Sequence, residues 1–350
     1  MRTSLAASTT AALQLAGIVL ALGMAAGCGG SSGATGPQGG GTTAGTTGFT
    51  QGVITAFGTL HMGSGAHERI FDTQGAVLKR LDDGVVHNRT NDDNIVFRVG
   101  MKVEVFHSAD SSRAVEVRYM KDLEGPITAK PSATPGAAFD VLGVPVRVDG
   151  DTHFDDTIGG SGLTLGALVL GNVLEVSGMF DAAGVLHATF IEGRHTSTAG
   201  RTFEIKGKLA NVAGVAPNQT FKLNGVDFTM SPSTVIRDLA GGLVNELFAE
   251  VKTQSTSAPF MVTRFESLSG DFDSPENEVR HANKASVEGF VTGLAGTSPD
   301  YSFRLNGMQV TTSSATTVGL ALVVPNAHIE AEGPVDANGK ITAIRISARP

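Results

Sequence analysis

The sequence predicts an all-β protein: four small β-barrels in tandem, each oligonucleotide/oligosaccharide-fold-like in size with about five strands. Three observations predict it. Glycine accounts for 45 of 350 residues, nearly double its usual ~7% share, and Val, Thr and Phe recur in short alternating runs, which favours strands and tight turns. Four segments open alike, Gly52-Val-Ile-Thr, Gly125-Pro-Ile-Thr, Gly207-Lys-Leu-Ala and Gly289-Phe-Val-Thr, with starts 73, 82 and 82 residues apart; a recurring period marks a repeated supersecondary unit. In the third and fourth segments Asn224-Gly225 and Asn306-Gly307 sit between alternating apolar residues. Asn-Gly supplies the positive φ angles that a two-residue hairpin turn needs.

The chain begins with a different kind of signal. Arg2 is the only charge before Cys28, an apolar stretch is strongest over 15–24, and Ala25, Ala26, Gly27 and Cys28 follow. That is the order of an exported precursor. Ala-Ala-Gly-Cys resembles the lipobox of bacterial lipoproteins, with Ala25 standing where Leu is commonest. The resemblance implies removal of residues 1–27 and lipidation of Cys28. Cys28 is the only cysteine, so an internal disulfide is excluded. The apolar stretch, interrupted by Gln14 and several glycines, falls short of the ~20 apolar residues of a span. Gly29 after the cysteine resembles the outer-membrane sorting pattern. Residues 28–50 carry no charge and almost no apolar side chain, so this segment is expected to be a flexible tether with a reach of roughly 25 Å.

The repeats are expected at 51–123, 124–193, 206–268 and 287–350, with linkers at 194–205 and 269–286. Each copy has a strand with a central glutamate, at Glu104, Glu175, Glu250 and Glu330, and then a closing strand, such as Ala114-Val-Glu-Val or Ala343-Ile-Arg-Ile. Closing five short strands into a barrel hides both the apolar face and the edges. An SH3-like roll or a small sandwich satisfies the same strand count. In Val-Glu-Val the glutamate faces away from its neighbours, so the four glutamates are expected on the wet face. The insertion at 76–98 is the longest departure from the shared unit, and additions at a rim are where function collects.

The opening Gly-x-Ile/Val, the Phe-x-Leu-Asn-Gly-x-x-Val hairpin, the Val-Glu-Val-x-Gly strand and the closing Gly-x-Leu-x-Ala-x-x-Ile together resemble the bacterial domain-of-unknown-function family numbered 5666. The resemblance covers most of 52–349 and is best in copies two and four. Copy one departs through its charged insertion, and copy three lacks the glycine after its glutamate strand. The family is found in tandem in exported proteins and lipoproteins, so the resemblance implies architecture and export, with no activity attached.

Composition and motifs narrow the function. Losing Arg2 with the leader takes the formal charge from −8 to −9, and no basic stripe exists to gather phosphates, which argues against nucleic acid. There is no Trp and there are only two Tyr, too few for base-stacking platforms. No Gly-x-Ser-x-Gly, phosphate loop, Gly-x-Gly-x-x-Gly or His-Glu-x-x-His occurs. Asp149, Asp151, Asp155 and Asp156, with His153 among them, form an oxygen-rich loop of a kind that holds calcium. The EF-hand pattern is not met, since Gly160 stands at the twelfth place, and a solvated loop accounts for the same residues. Asn91 to Asn94, and Asp271, Asp273 and Glu276, are looser clusters. The nine histidines share no spacing. The expectation is a non-enzymatic envelope protein, lipid-anchored at the outer membrane, that binds or spaces an envelope protein or polysaccharide. A calcium-binding module and an unrecognised hydrolase are the alternatives.

Overall fold

The structure is a computed structural model that describes residues 48–63, 68–80, 85–88, 97–108, 112–119, 121–156, 162–239, 241–268, 279–280 and 282–349. Cys28, Asn91 to Asn94 and Asp271, Asp273 and Glu276 lie outside the described residues. Repeat 1 holds β1 (Gly48–Ala56), β2 (Leu60–Met62), β3 (Arg69–Phe71), β4 (Val77–Arg80), β5 (Val85–Asn88), β6 (Lys102–His107) and β7 (Ala114–Tyr119). Repeat 2 holds β8 (Leu123–Ala129), β9 (Phe139–Val141), β10 (Val144–Arg147), β11 (His153–Asp156), β12 (Val173–Phe180) and β13 (Leu186–His195). Repeat 3 holds β14 (Phe203–Val215), β15 (Asn218–Leu223), β16 (Val226–Thr229), β17 (Val235–Arg237), β18 (Phe248–Thr253) and β19 (Phe260–Ser267). Repeat 4 holds β20 (Lys284–Phe290), β21 (Thr292–Thr297), β22 (Asp300–Leu305), β23 (Met308–Thr311), β24 (His328–Pro334), β25 (Ile341–Thr342) and β26 (Arg345–Ala348). The all-β class is as expected, and the insertion of repeat 1 adds the antiparallel pair β4–β5.

The shared opening glycine has a physical cause. At the hairpin tips Leu142, Asn224 and Asn306 have φ near 50°, and each sits on the opening glycine of its own repeat. A Cβ on Gly125 would lie 2.8 Å from the Leu142 Cβ; one on Gly207 would lie 2.5 Å from the Asn224 Oδ1. Asn224 and Asn306 also donate to the carbonyls of Lys206 (2.9 Å) and Glu288 (2.7 Å). Asparagine is favoured there because it tolerates the left-handed region and bonds locally. Leu142 has no such donor, and burial of its side chain takes that place.

In repeat 2 the pairing runs β8–β9–β10–β13–β12 and returns to β8. Repeat 3 follows β14–β15–β16–β19–β18 and returns to β14. Four separate barrels in a row are nevertheless not what forms. The first strand of a repeat also pairs with the first strand of another, so the strands join into sheets of ten, twelve and four strands, none of which as a whole is a closed barrel.

Two such joints exist. β8 and β14 pair antiparallel, Leu123 opposite Ile205 and Glu124 opposite Glu204, and a single apolar core runs through repeats 2 and 3. β1 and β20 pair in parallel, from Gly48 opposite Lys284 to Gln51 opposite Val287. Phe49 there enters the core of repeat 4 and meets Phe106 edge-on at 5.3 Å. Repeat 1 keeps a core of its own, joined by Phe190 of repeat 2. The expected tether therefore ends earlier than residue 50: Gly48, Phe49 and Thr50 are already buried in β1. The linker expected at 194–205 shortens too, since β13 runs to His195 and β14 starts at Phe203.

Candidate binding cleft

Strand alternation places the shared glutamates on the face away from their own apolar core, as expected, but that face is not wet. Glu104, Glu175 and Glu330 are buried, Glu175 completely. Repeat 1 covers the second face of the sheet at Glu175 and at Glu330. Glu175 accepts from the Tyr119 hydroxyl of repeat 1 at 2.6 Å, and Arg80 of repeat 1 reaches Glu175 (3.5 Å) and Glu192 (3.1 Å). Glu330 pairs with Arg69 of repeat 1 at 3.2 Å and with Arg349. Glu250 is half-buried and stays within repeat 3, with Lys252 (3.0 Å) and Lys206 (3.4 Å). Directly across the strands Glu192, Glu175, Glu124 and Glu204 form one row. Buried carboxylates need partners, and here much of the pairing is between repeats.

Lysines keep the end of that row ionised. Burial alone would raise the Glu204 carboxyl; the ammonium groups of Lys206, Lys121 and Lys252 outweigh it and hold the group below its ordinary value. The converse holds for Lys121, where burial opposes the charge but Glu204 and Glu124 raise the amine above its usual range.

Where repeats 1, 2 and 4 meet, a cleft of about 600 Å³ opens. Val53 and Ile54 of β1, Met179 of β12 and Phe290 of β20 give it an apolar floor. Arg147, Asp149, Asp151 and His153 of repeat 2 stand exposed at its rim. Phe290 lies between two imidazoles, 4.2 Å from the His187 ring and 4.8 Å from the His328 ring. Each imidazole stands beside a carboxylate: His187 Nε2 shares a hydrogen bond with Asp181 Oδ2 at 3.1 Å, and His328 Nε2 lies 3.2 Å from Glu288 Oε1 without hydrogen-bond geometry. Gly100, at φ +91°, lets the backbone of repeat 1 close on repeat 2, since a Cβ there would lie 2.4 Å from the Thr189 carbonyl oxygen. Three of the scattered histidines, His153, His187 and His328, thus line one cleft although they share no spacing in the chain.

The carboxylates of the expected calcium loop divide. The Asp149 amide takes the Thr152 hydroxyl at 3.1 Å, that hydroxyl donates to the Ala188 carbonyl at 2.7 Å, and Asp149 Oδ1 accepts the Asp151 amide at 3.0 Å. The same turn recurs at Ser231 with Thr234, which donates to Val262, and at Ser313 with Thr316, which donates to Ala343. Serine replaces aspartate in those copies, so the acidic side chain at 149 acts as a turn former. Asp155 pairs with Arg98 of repeat 1 at 3.0 Å. Asp156 lies in β11, its backbone opposite Gly193. Among the described residues no three His, Cys, Asp or Glu side chains gather as a metal site would require.

Residues 124–192 and 288–347 match the family model of a domain of unknown function, DUF5666. Repeats 2 and 4 are thus similar to that family. They are the two copies whose motifs are most complete, and they share a device beyond the hairpin glycine. Gly178 and Gly333 follow the glutamate strand where a Cβ would lie 2.1 and 1.9 Å from the His187 and Thr342 carbonyl oxygens. Only glycine lets the two strands approach there. The rim of the cleft, its ring stack and its imidazole–carboxylate pairs all come from these two repeats. No curated protein matches the chain.

Proposed function

We propose that the protein is an exported, non-enzymatic binding protein, lipid-anchored through Cys28 at the outer membrane, that holds an envelope polysaccharide or protein segment in the cleft between repeats 1, 2 and 4. The supporting observation is that the cleft needs three repeats at once. A spacer made of independent units would have no reason to bury ion pairs between them. The cleft joins an apolar floor to a charged rim, the usual composition of a recognition site. Each repeat reads as a small five-strand, barrel-like unit whose first strand is lent to its neighbour. The lipobox and the short segment before β1 support a position close to the membrane.

A photo-crosslinking residue at position 147 or 153, in cells of the producing bacterium, tests the cleft. Discrete ultraviolet-dependent adducts that vanish when Phe290 is replaced by Asp support the proposal; no adducts at either position would end it. The anchor is tested separately with Cys28→Ser, which is expected to leave an uncleaved, unlipidated precursor. Normal processing and membrane retention of that variant would overturn the lipid anchor and leave the cleft untouched.

A further inference from the structure

The turn that follows β12 stands behind one wall of the cleft. Asp181 opens it, and its Oδ1 accepts from the amides of Ala183 (2.8 Å) and Val185 (3.0 Å). The Ala182 amide donates to Asn326 Oδ1 of repeat 4 at 2.9 Å, so the turn is pinned to the repeat that supplies Phe290. The same turn recurs in repeat 4, where Asp336 Oδ1 accepts from the amides of Asn338 (2.9 Å) and Lys340 (3.0 Å). The two turns differ at the second carboxylate oxygen. Asp336 Oδ2 faces the Lys340 ammonium at 3.4 Å, whereas Asp181 Oδ2 shares a hydrogen bond with His187 Nε2 at 3.1 Å. Forming the turn takes Oδ1 alone, so the bond to His187 is an addition to it.

That bond sets the chemistry of the imidazole. The Asp181 side chain is 9% exposed, and a carboxylate only accepts. In the neutral ring the proton therefore sits on Nε2, and Nδ1 is left as an acceptor, because the bond made by one ring nitrogen decides the state of the other. The ring lines the cleft, with Phe290 at 4.2 Å, and His187 Nδ1 makes no hydrogen bond to the protein among the described residues. Other acceptors line the same cleft: Glu288, Asp149 and Asp151. Its arginines are Arg147 at the rim and Arg349, which Glu330 already holds. The hydroxyls of a polysaccharide supply donors to such a set, whereas an extended peptide brings one acceptor for each donor.

We propose that Asp181 is a positioning residue of the cleft: it fixes the Nε2-protonated form of His187, so that Nδ1 accepts a hydrogen bond from a hydroxyl of a bound polysaccharide. The inference rests on the cleft being a binding site and is independent of the lipid anchor.

Nitrogen NMR of the full chain in detergent, labelled in histidine, tests the ring. In mildly alkaline buffer the His187 signals, assigned by their loss in His187→Phe, are expected to show a protonated Nε2 and an unprotonated Nδ1. Asp181→Asn keeps an oxygen for the Ala183 and Val185 amides but turns an N–H toward Nε2, so the proton is expected to move to Nδ1. The ligand is read with the photo-crosslinking residue at position 153 in cells. Its adducts are expected to stain for carbohydrate, and Asp181→Asn is expected to lower their yield about tenfold, the weight of one hydrogen bond. If Asp181→Asn fails to fold by circular dichroism, His187→Phe, which keeps a ring against Phe290 and removes the acceptor, is expected to give the same loss. The proposal is overturned by a protonated Nδ1 in the unaltered protein, by adducts that contain protein alone, or by a yield that stays the same once the proton has moved. No adduct in the unaltered protein ends the binding cleft itself, and this role of Asp181 with it, whatever the state of the ring.

Discussion

The joint between repeats 2 and 3 and the joint between repeats 1 and 4 use the same strands in different ways. Repeats 2 and 3 are neighbours in the chain; their opening strands cross antiparallel and briefly, and the apolar cores merge into one. Repeats 1 and 4 stand at opposite ends of the folded region; their opening strands run parallel over four residue pairs, and their cores stay separate apart from Phe49 and Phe106 of repeat 1, which pack on the core of repeat 4. The first joint is held chiefly by apolar burial. The second is made by one short strand, by Phe49 with Phe106, by the Asn306 amide donating to Gln51, and by Arg69 pairing to Glu330 and Glu332 across the boundary. A chain of repeats closes on itself where its ends meet, and that closure relies on strand pairing and ion pairs where the joint between sequence neighbours relies on a shared apolar core.

The largest expected effect tests that asymmetry. Phe49→Ala removes a ring that is 1% exposed and should cost about 3–5 kcal/mol. It should also split urea unfolding into two transitions, because repeat 1 loses its hold on repeat 4. Leu123→Ala at the other joint should cost about 2–5 kcal/mol within one transition. A single transition for Phe49→Ala would remove the asymmetry.

Next come the glutamates. Glu175→Ala strips Arg80 and Tyr119 of a fully buried partner and should cost about 3–5 kcal/mol. Glu250→Ala, half-buried and paired within its own repeat, should cost roughly 1 kcal/mol. Equal losses in the two melts would show that the boundary between repeats is not what distinguishes them.

Acid acts on both joints. Glu204 and Glu332 are held below the ordinary carboxylate value, Glu204 by its lysines and Glu332 by Lys284, Arg69 and Arg345, against the opposing effect of burial. A lowered folded-state pKa contributes stability that is complete above the unfolded value near 4.5 and is lost as pH falls through the folded one. The urea midpoint should therefore hold steady above about pH 5 and fall below it. A midpoint that rises on acidification would contradict the sign.

Smaller effects test the turns. Asn306→Ala loses two hydrogen bonds and a residue suited to φ 47°, for about 1–2 kcal/mol by denaturant titration. Calcium or a chelator should leave the melting temperature unchanged, because Asp149 is engaged in its turn and Asp155 with Arg98. A calcium-dependent rise lost in Asp151→Ala would restore the loop as a metal site.

Much of the local structure was legible in the sequence. Asn224-Gly225 and Asn306-Gly307 named their hairpins, because few residues take positive φ, and the insertion in repeat 1 gave an extra hairpin. The glutamates show where legibility stops. Alternation says that Glu175 and Val176 face opposite ways, but it does not say what covers the second face; that depends on Tyr119 and Arg80, 56 and 95 residues away. The parallel pairing of Gly48 to Gln51 with β20 was hidden for the same reason, since a Gly-rich lead-in looks like tether until a distant edge claims it. His187, Phe290 and His328 converge through that closure, so no spacing could announce them. Asp149 has two readings for another reason: its carboxylate serves a turn that Ser231 and Ser313 also make.

Hydrogen–deuterium exchange of the peptide spanning residues 48–53 tests the closure most directly. If repeats 1 and 4 are joined through β1 and β20, its amides are protected as strongly as those of Lys284–Phe290, and Phe49→Ala releases both together. Exchange of residues 48–51 at the rate of unstructured chain in the unaltered protein would contradict the closed arrangement and, with it, the three-repeat cleft.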